Sequence, residues 1–134
     1  MSLRYEPVEV LLTLDELTAL CAEWQERLRL QDWMVHIRLA RAHEIPNLGG
    51  YCEYLNCQKI ARIAVLDHVD WTTSEWTVHD MEEILVHELL HLQHSNHTYE
   101  KGTLQYEALE IAIDTTAQAL VQLKREAQKP KEDA

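Results

Sequence analysis

The segment that most constrains the fold is residues 81–92, MEEILVHELLHL, which is apolar on most sides of a helical projection. A helix that is apolar nearly all round is a buried one, so we expect other elements to surround it. The segment also carries His87, Glu88 and His91. Burying two imidazoles and a carboxylate is costly without a compensating partner. The chain therefore has to build its core around this helix and supply a partner for these groups.

The first half of the chain predicts one helix followed by strands. Thr13 and Glu16 form a capping box ahead of a helix with apolar residues on one face. Residues 33–39 then alternate, as a strand with one buried face does. Residues 51–55 and 60–66 are two further short strands. The last of these has small and apolar residues on both faces, and we place it at the centre of the sheet.

The second half of the chain predicts two helices, the apolar one and a long one that Thr103 can cap and that ends near residue 127. The order helix, about three strands, helix, helix predicts an α+β fold with a small, mostly antiparallel sheet. A length of 134 residues is typical of a single domain. We therefore expect one domain over residues 1–134, with a flexible tail at residues 128–134.

Composition excludes several classes of protein. Lys and Arg number 12 against 23 Asp and Glu, a formal net charge of −11, whereas proteins that bind nucleic acid usually carry a basic surface. No apolar run approaches the roughly 20 residues that span a bilayer, and no secretory signal is visible. The three cysteines are an odd number, which argues against a disulfide framework. We expect a cytoplasmic protein that binds neither nucleic acid nor membranes.

Two tryptophans, Trp71 and Trp76, lie in the polar segment 67–79 ahead of the apolar helix. They could line a pocket or fill a small secondary core, and the second role is the one we expect.

The pattern HELLH at residues 87–91 predicts a zinc site. Residues four apart lie on nearly the same face of a helix, so His87 and His91 can reach one ion. Glu88 is rotated by about 100° from His87, which directs its carboxylate towards a zinc-bound water. A carboxylate in that place can act as the general base for hydrolysis.

A catalytic zinc usually has a third protein ligand, and two candidates compete for this role. Glu110 lies at the edge of the apolar arc of the last helix, with Asp114 one turn further on and able to accept a hydrogen bond from a ligand histidine. Glu107 lies on the polar side and is weaker. His97 has the spacing of an HExxHxxGxxH site, but His94 stands where that pattern needs glycine. We favour Glu110.

HELLH together with Glu110 and Asp114 resembles the gluzincin branch of the zincin metallopeptidases, and in particular its small single-domain members, the minigluzincins. The resemblance implies a zincin-like fold in which zinc is bound by His87, His91 and Glu110, with Glu88 as general base. It also implies a peptide or protein substrate in extended form on an edge strand.

The same resemblance implies a tyrosine that stabilises the oxyanion, for which Tyr99 and Tyr106 are candidates. The chain has no second domain to form the far wall of a cleft, which argues against cleavage of folded proteins.

Two other functions remain open from the sequence. His87, His91 and His97 match the three-histidine spacing of the small YbeY-like metal endoribonucleases, although the charge of −11 argues against RNA. A non-catalytic zinc-binding regulatory or prophage-derived module would have the same ligands with the ion closed off by a fourth.

Overall fold

The computed structural model describes residues 8–72 and 77–130. The expectations for Trp76 and for residues 131–134 of the tail lie outside these ranges. The described chain forms three helices, three strands and a short 3₁₀ turn at His68–Asp70. In chain order the helices and strands are α1 (Leu14–Arg27), β1 (Met34–Ala40), β2 (Gly50–Leu55), β3 (Ile60–Leu66), α2 (Met81–Gln93) and α3 (Leu104–Gln128).

The α+β class is confirmed, and so is the central position of β3 in the strand order β1-β3-β2. The expectation of a mostly antiparallel sheet is wrong, because β1 pairs with β3 in parallel while β2 pairs with β3 antiparallel. A tight turn at residues 56–59 forces β2 and β3 to run in opposite directions. The longer path from β1 to β3, through β2, is enough for a parallel pairing.

The capping box that begins α1 is present. The Thr13 hydroxyl accepts a hydrogen bond from the Glu16 amide at 3.2 Å, and the Glu16 carboxylate accepts one from the Thr13 amide at 2.9 Å. Leu17, Cys21 and Trp24 form the buried face of this helix, at the predicted spacing.

The core lies between one face of the sheet and the three helices. Ala61, Ile63 and Val65 on β3 are fully buried, and α2 packs against α1, α3, β2 and β3. This central position accounts for the apolar character of α2 on nearly every side. On the other face of the sheet, Trp71 packs against a smaller buried cluster that includes Ile45 and Leu66, so its expected core role is confirmed.

Charged residues are buried where the start of α2 meets the end of α3. Lys124 Nζ lies 2.6 Å from Glu82 Oε2, and Trp24 Nε1 donates to the same oxygen at 2.9 Å. Arg125 Nη1 lies 2.7 Å from Asp80 Oδ2. These contacts set how α2 and α3 lie against each other.

None of the described helices combines the length and the apolar character that a membrane span requires.

Candidate metal centre

The two histidines of the motif lie one turn apart on α2. Asp80 begins this helix, with Oδ1 accepting a hydrogen bond from the Glu83 amide at 3.1 Å. The centroids of the His87 and His91 rings are 5.3 Å apart, with their planes inclined by 55°. One ligand atom from each of His87, Glu88 and His91 lies within 4.8 Å of the other two. The helical spacing thus brings three potential metal ligands together.

Glu110 on α3 lies beside both imidazoles. Its Oε1 is 2.9 Å from His91 Nε2, and its Oε2 is 3.3 Å from His87 Nε2. All three side chains are partly exposed. Both Nε2 atoms therefore point towards the same carboxylate, which is the arrangement expected of three ligands to one ion.

Asp114 lies on the other side of the His87 ring. Its Oδ1 is 3.4 Å from His87 Nδ1, and its Oδ2 accepts a hydrogen bond from Gln118 Nε2 at 3.2 Å. A carboxylate at Nδ1 favours the tautomer that leaves Nε2 unprotonated and available to a metal. Asp114 thus lies where it can orient His87.

Glu88 is buried beneath the first residue of β2. Its side chain is 6% exposed, and burial, together with the nearby charge of Glu110, raises its pKa to about 7 although His87 opposes the rise. A Cβ atom at Gly50 would lie 3.2 Å from Glu88 Oε2. Glycine therefore allows β2 to approach the carboxylate this closely. A carboxyl group with a pKa near neutrality can both accept and donate a proton at pH 7.

Burial lowers the pKa of His91, and His87 and His94 act in the same direction, while Glu110 opposes them. Neutral imidazole is the form that binds a metal ion. His91 therefore needs no large rearrangement of charge to act as a ligand.

A cavity of about 470 Å³ opens beside these groups, between β2, α2, α3 and the loop that joins the two helices. Tyr99 and Tyr106 both line it. Tyr106 lies one turn before Glu110, and burial, with the charges of Glu110 and Glu88, raises the pKa of its phenol. Of the two tyrosines, Tyr106 is thus the one placed close to the carboxylates.

The alternative ligands lie in less favourable places. His97 lines the cavity, but its side chain is exposed and its ring centroid is 5.7 Å from that of His94. Glu107 is exposed and is not among the residues that line the cavity. The chain contacts that surround the two motif imidazoles come from Glu110 and Asp114 instead.

Two residues of the cavity wall were not predicted from the sequence as part of the site. Gly50 signalled only a turn, because nothing in its neighbours shows which helix approaches it. Lys101, in the loop between α2 and α3, lines the same wall. A single lysine in a polar loop carries no sequence signal for such a position.

We compared the chain with protein-family profiles, curated proteins and solved structures, and none of the three comparisons yields a match.

The donor set fits zinc. Two imidazole nitrogens and one carboxylate oxygen are ligands that Zn²⁺ accepts, and one side of the group faces an open cavity. Such a set leaves room for a further ligand from solvent or substrate.

Proposed function

We propose that this chain is a zinc-dependent metallopeptidase with a zincin-like fold, in which His87, His91 and Glu110 bind the ion. The observation that carries the proposal is the position of the Glu110 carboxylate, which contacts Nε2 of both motif histidines from a different helix. The buried carboxyl group of Glu88 adjoins this group of ligands.

Zinc, when bound, lowers the pKa of a water molecule and polarises a substrate carbonyl. Glu88 accepts the proton of the attacking water and donates it to the departing amine. Its pKa of about 7 suits both steps, because the group exchanges a proton readily near neutral pH. Asp114 keeps His87 in the tautomer that binds through Nε2.

The substrate we propose is a peptide in extended form. In the described part of the chain β2 is an edge strand, since it pairs only with β3. Gly50, Tyr51 and Cys52 of β2 line the cavity. An extended peptide can add to such an edge through main-chain hydrogen bonds, which would bring a peptide bond beside Glu88.

This proposal is better supported than the two alternatives. A three-histidine nuclease requires His97 as a ligand, and that side chain lies exposed in the loop after α2. A closed structural site requires a fourth protein ligand, whereas the group formed by His87, His91 and Glu110 borders an open cavity.

The proposal is tested by measuring zinc content and peptide hydrolysis on the same preparations. We expect about one zinc per wild-type chain, the complement of a mononuclear catalytic site. We also expect cleavage of unstructured peptides that a chelator abolishes and added zinc restores. Glu88→Gln should keep its zinc and lose hydrolysis, because the amide cannot accept the proton.

Glu107→Gln is the matched control, since it makes the same chemical change at an exposed glutamate of α3. It should keep both zinc and hydrolysis. Hydrolysis that persists undiminished in Glu88→Gln, or a wild-type chain that takes up no zinc, would contradict the proposal.

A further inference from the structure

Lys101 differs from the other described cations in having no partner within the chain. The sequence contains 12 Lys and Arg, of which Arg4 and Lys131 lie outside the described residues. Of the remainder, Lys101 alone makes no contact with a carboxylate or carbonyl oxygen of the described chain. The others with such contacts are Arg27, Arg29, Arg38, Arg41, Lys59, Arg62, Lys124, Arg125 and Lys129.

The backbone around Lys101 is held in place. Gly102 has a φ of +86°, and the Thr103 hydroxyl donates to the Glu100 carbonyl at 2.8 Å. Thr103 also caps α3, since its hydroxyl accepts a hydrogen bond from the Tyr106 amide at 3.2 Å. The turn that carries Lys101 is thereby joined to the helix that carries Glu110, so the lysine has a defined place on the cavity wall.

The two ends of the cavity differ in charge. Beyond His87, one end is lined by Glu83, one turn earlier on α2, and by Asp114, one turn after Glu110 on α3. The other end is lined by Lys101 with the aromatic rings of Tyr99 and Tyr106. An extended peptide lying along β2 would therefore meet carboxylates at one end and an ammonium group at the other.

We propose that Lys101 binds a carboxylate of the peptide substrate, which rests on the proposed peptidase function. The carboxylate is either the free C-terminus of the peptide or an Asp or Glu side chain. A chain with a net charge of −11 repels anionic ligands, so a local cation is needed to bind one. An ammonium group without an internal partner forms the new ion pair without first breaking an old one. Charge of this kind contributes mainly to specificity.

The test measures binding rather than turnover. The full-length Glu88→Gln chain is loaded with zinc, immobilised and exposed to a random octapeptide pool, prepared once with free and once with amidated C-termini. Retained peptides are sequenced by mass spectrometry. We expect acidic residues or free C-termini to be enriched by about three- to fivefold, the size of an exposed ion pair. The amidated pool distinguishes the two sources of the carboxylate.

Adding Lys101→Ala should abolish this enrichment, and adding Lys101→Arg should retain it. Lys59→Ala is the matched control, because it removes the same charge from an exposed lysine that is paired with Asp32 outside the cavity. The enrichment should persist in that variant.

The outcomes separate this proposal from the peptidase function. Retention without a carboxylate preference, a preference unchanged by Lys101→Ala, or no retained peptide at all would overturn the role of Lys101. The first two of these results leave the peptidase proposal intact. If the preference depends on Lys101 but the zinc-loaded wild-type chain cleaves none of the retained peptides, the carboxylate site stands and the peptidase function fails.

Discussion

His91 Nε2 and Glu110 Oε1 lie 2.9 Å apart although they belong to different helices. The contact depends on the way α2 and α3 pack, because Glu110 reaches α2 only when the two helices lie side by side. At the far end of the same pair of helices, Lys124 is buried against Glu82. The proposed metal ligands and this buried ion pair therefore depend on the same helix packing.

Replacing Glu110 should remove the metal. Glu110→Gln keeps the size of the side chain but loses the anionic oxygens that face both imidazoles, and we expect zinc affinity to fall by at least about tenfold. Competition with a chelating dye measures this affinity. His97→Ala and Glu107→Gln are the controls, and both should bind zinc as the wild type does. A loss of zinc in His97→Ala with normal binding in Glu110→Gln would exchange the roles of the two residues.

Gly50 should tolerate no side chain. An alanine there places Cβ 2.6 Å from Ile84 Cγ2 and 3.2 Å from Glu88 Oε2, so β2 or α2 has to move. We expect Gly50→Ala to lower the free energy of unfolding by about 1–3 kcal/mol, the usual cost of overpacking. Urea unfolding measures this change.

The neighbouring glycine provides the control for this prediction. A Cβ at Gly49 would meet its nearest atom at 3.5 Å, an ordinary contact, so Gly49→Ala should change the free energy of unfolding by less than about 1 kcal/mol. Equal losses in the two variants would show that the close approach of β2 to Glu88 is not the cause.

The buried carboxylate of Glu82 should contribute strongly to stability. Burial alone would raise the pKa of Glu82, but hydrogen bonds from Lys124 and Trp24 outweigh it and lower the pKa. Glu82→Ala leaves the buried ammonium of Lys124 without this partner, and we expect a loss of about 3–5 kcal/mol in the free energy of unfolding.

Glu53→Ala is the comparison, because it removes an exposed carboxylate 3.7 Å from Arg62. The loss there should be about 1 kcal/mol or less. Urea unfolding of both variants at pH 7 measures the difference, and comparable losses would contradict the structural role of the buried pair.

His79 should make stability depend on pH. The side chain is fully buried, its ring lies against Trp71 with centroids 4.3 Å apart, and its Nδ1 is 3.0 Å from that of His68. Burial and the nearby His68 lower the pKa of His79 to about 4, although Glu9, Asp80 and Asp67 oppose this. Below pH 6.5 the unfolded chain takes up a proton that the folded chain does not. The contribution of His79 to stability is thus fully present above about pH 6.5 and is lost as the pH falls towards 4.

The expected loss over this range is up to about 3 kcal/mol. Urea unfolding of the metal-free protein at pH 7.5, 6 and 5 measures it, and the dependence should weaken in His79→Gln. His36→Gln, a change at an exposed histidine of β1, should leave the dependence as it is in the wild type. A dependence that stays the same in His79→Gln would assign it to other groups.

Local signals in the sequence were enough to place most elements. The capping box at Thr13, the alternation in residues 33–39 and the apolar residues around HELLH each depend on neighbours within one or two turns. For that reason the helices, the three strands and the central place of β3 could be predicted. The position of His87 and His91 on one side of α2 likewise follows from helical spacing alone.

Relationships between distant segments were decided only by tertiary structure. The parallel pairing of β1 with β3, the burial of Lys124 beside Glu82 and the approach of Gly50 to Glu88 all depend on how elements pack. The same holds for the position of Glu110 between the two imidazoles, which the sequence offered only as one of several candidates. Periodicity shows which face of an element is buried but not which partner covers it, because long-range packing depends on the shape and charge of all the surfaces together.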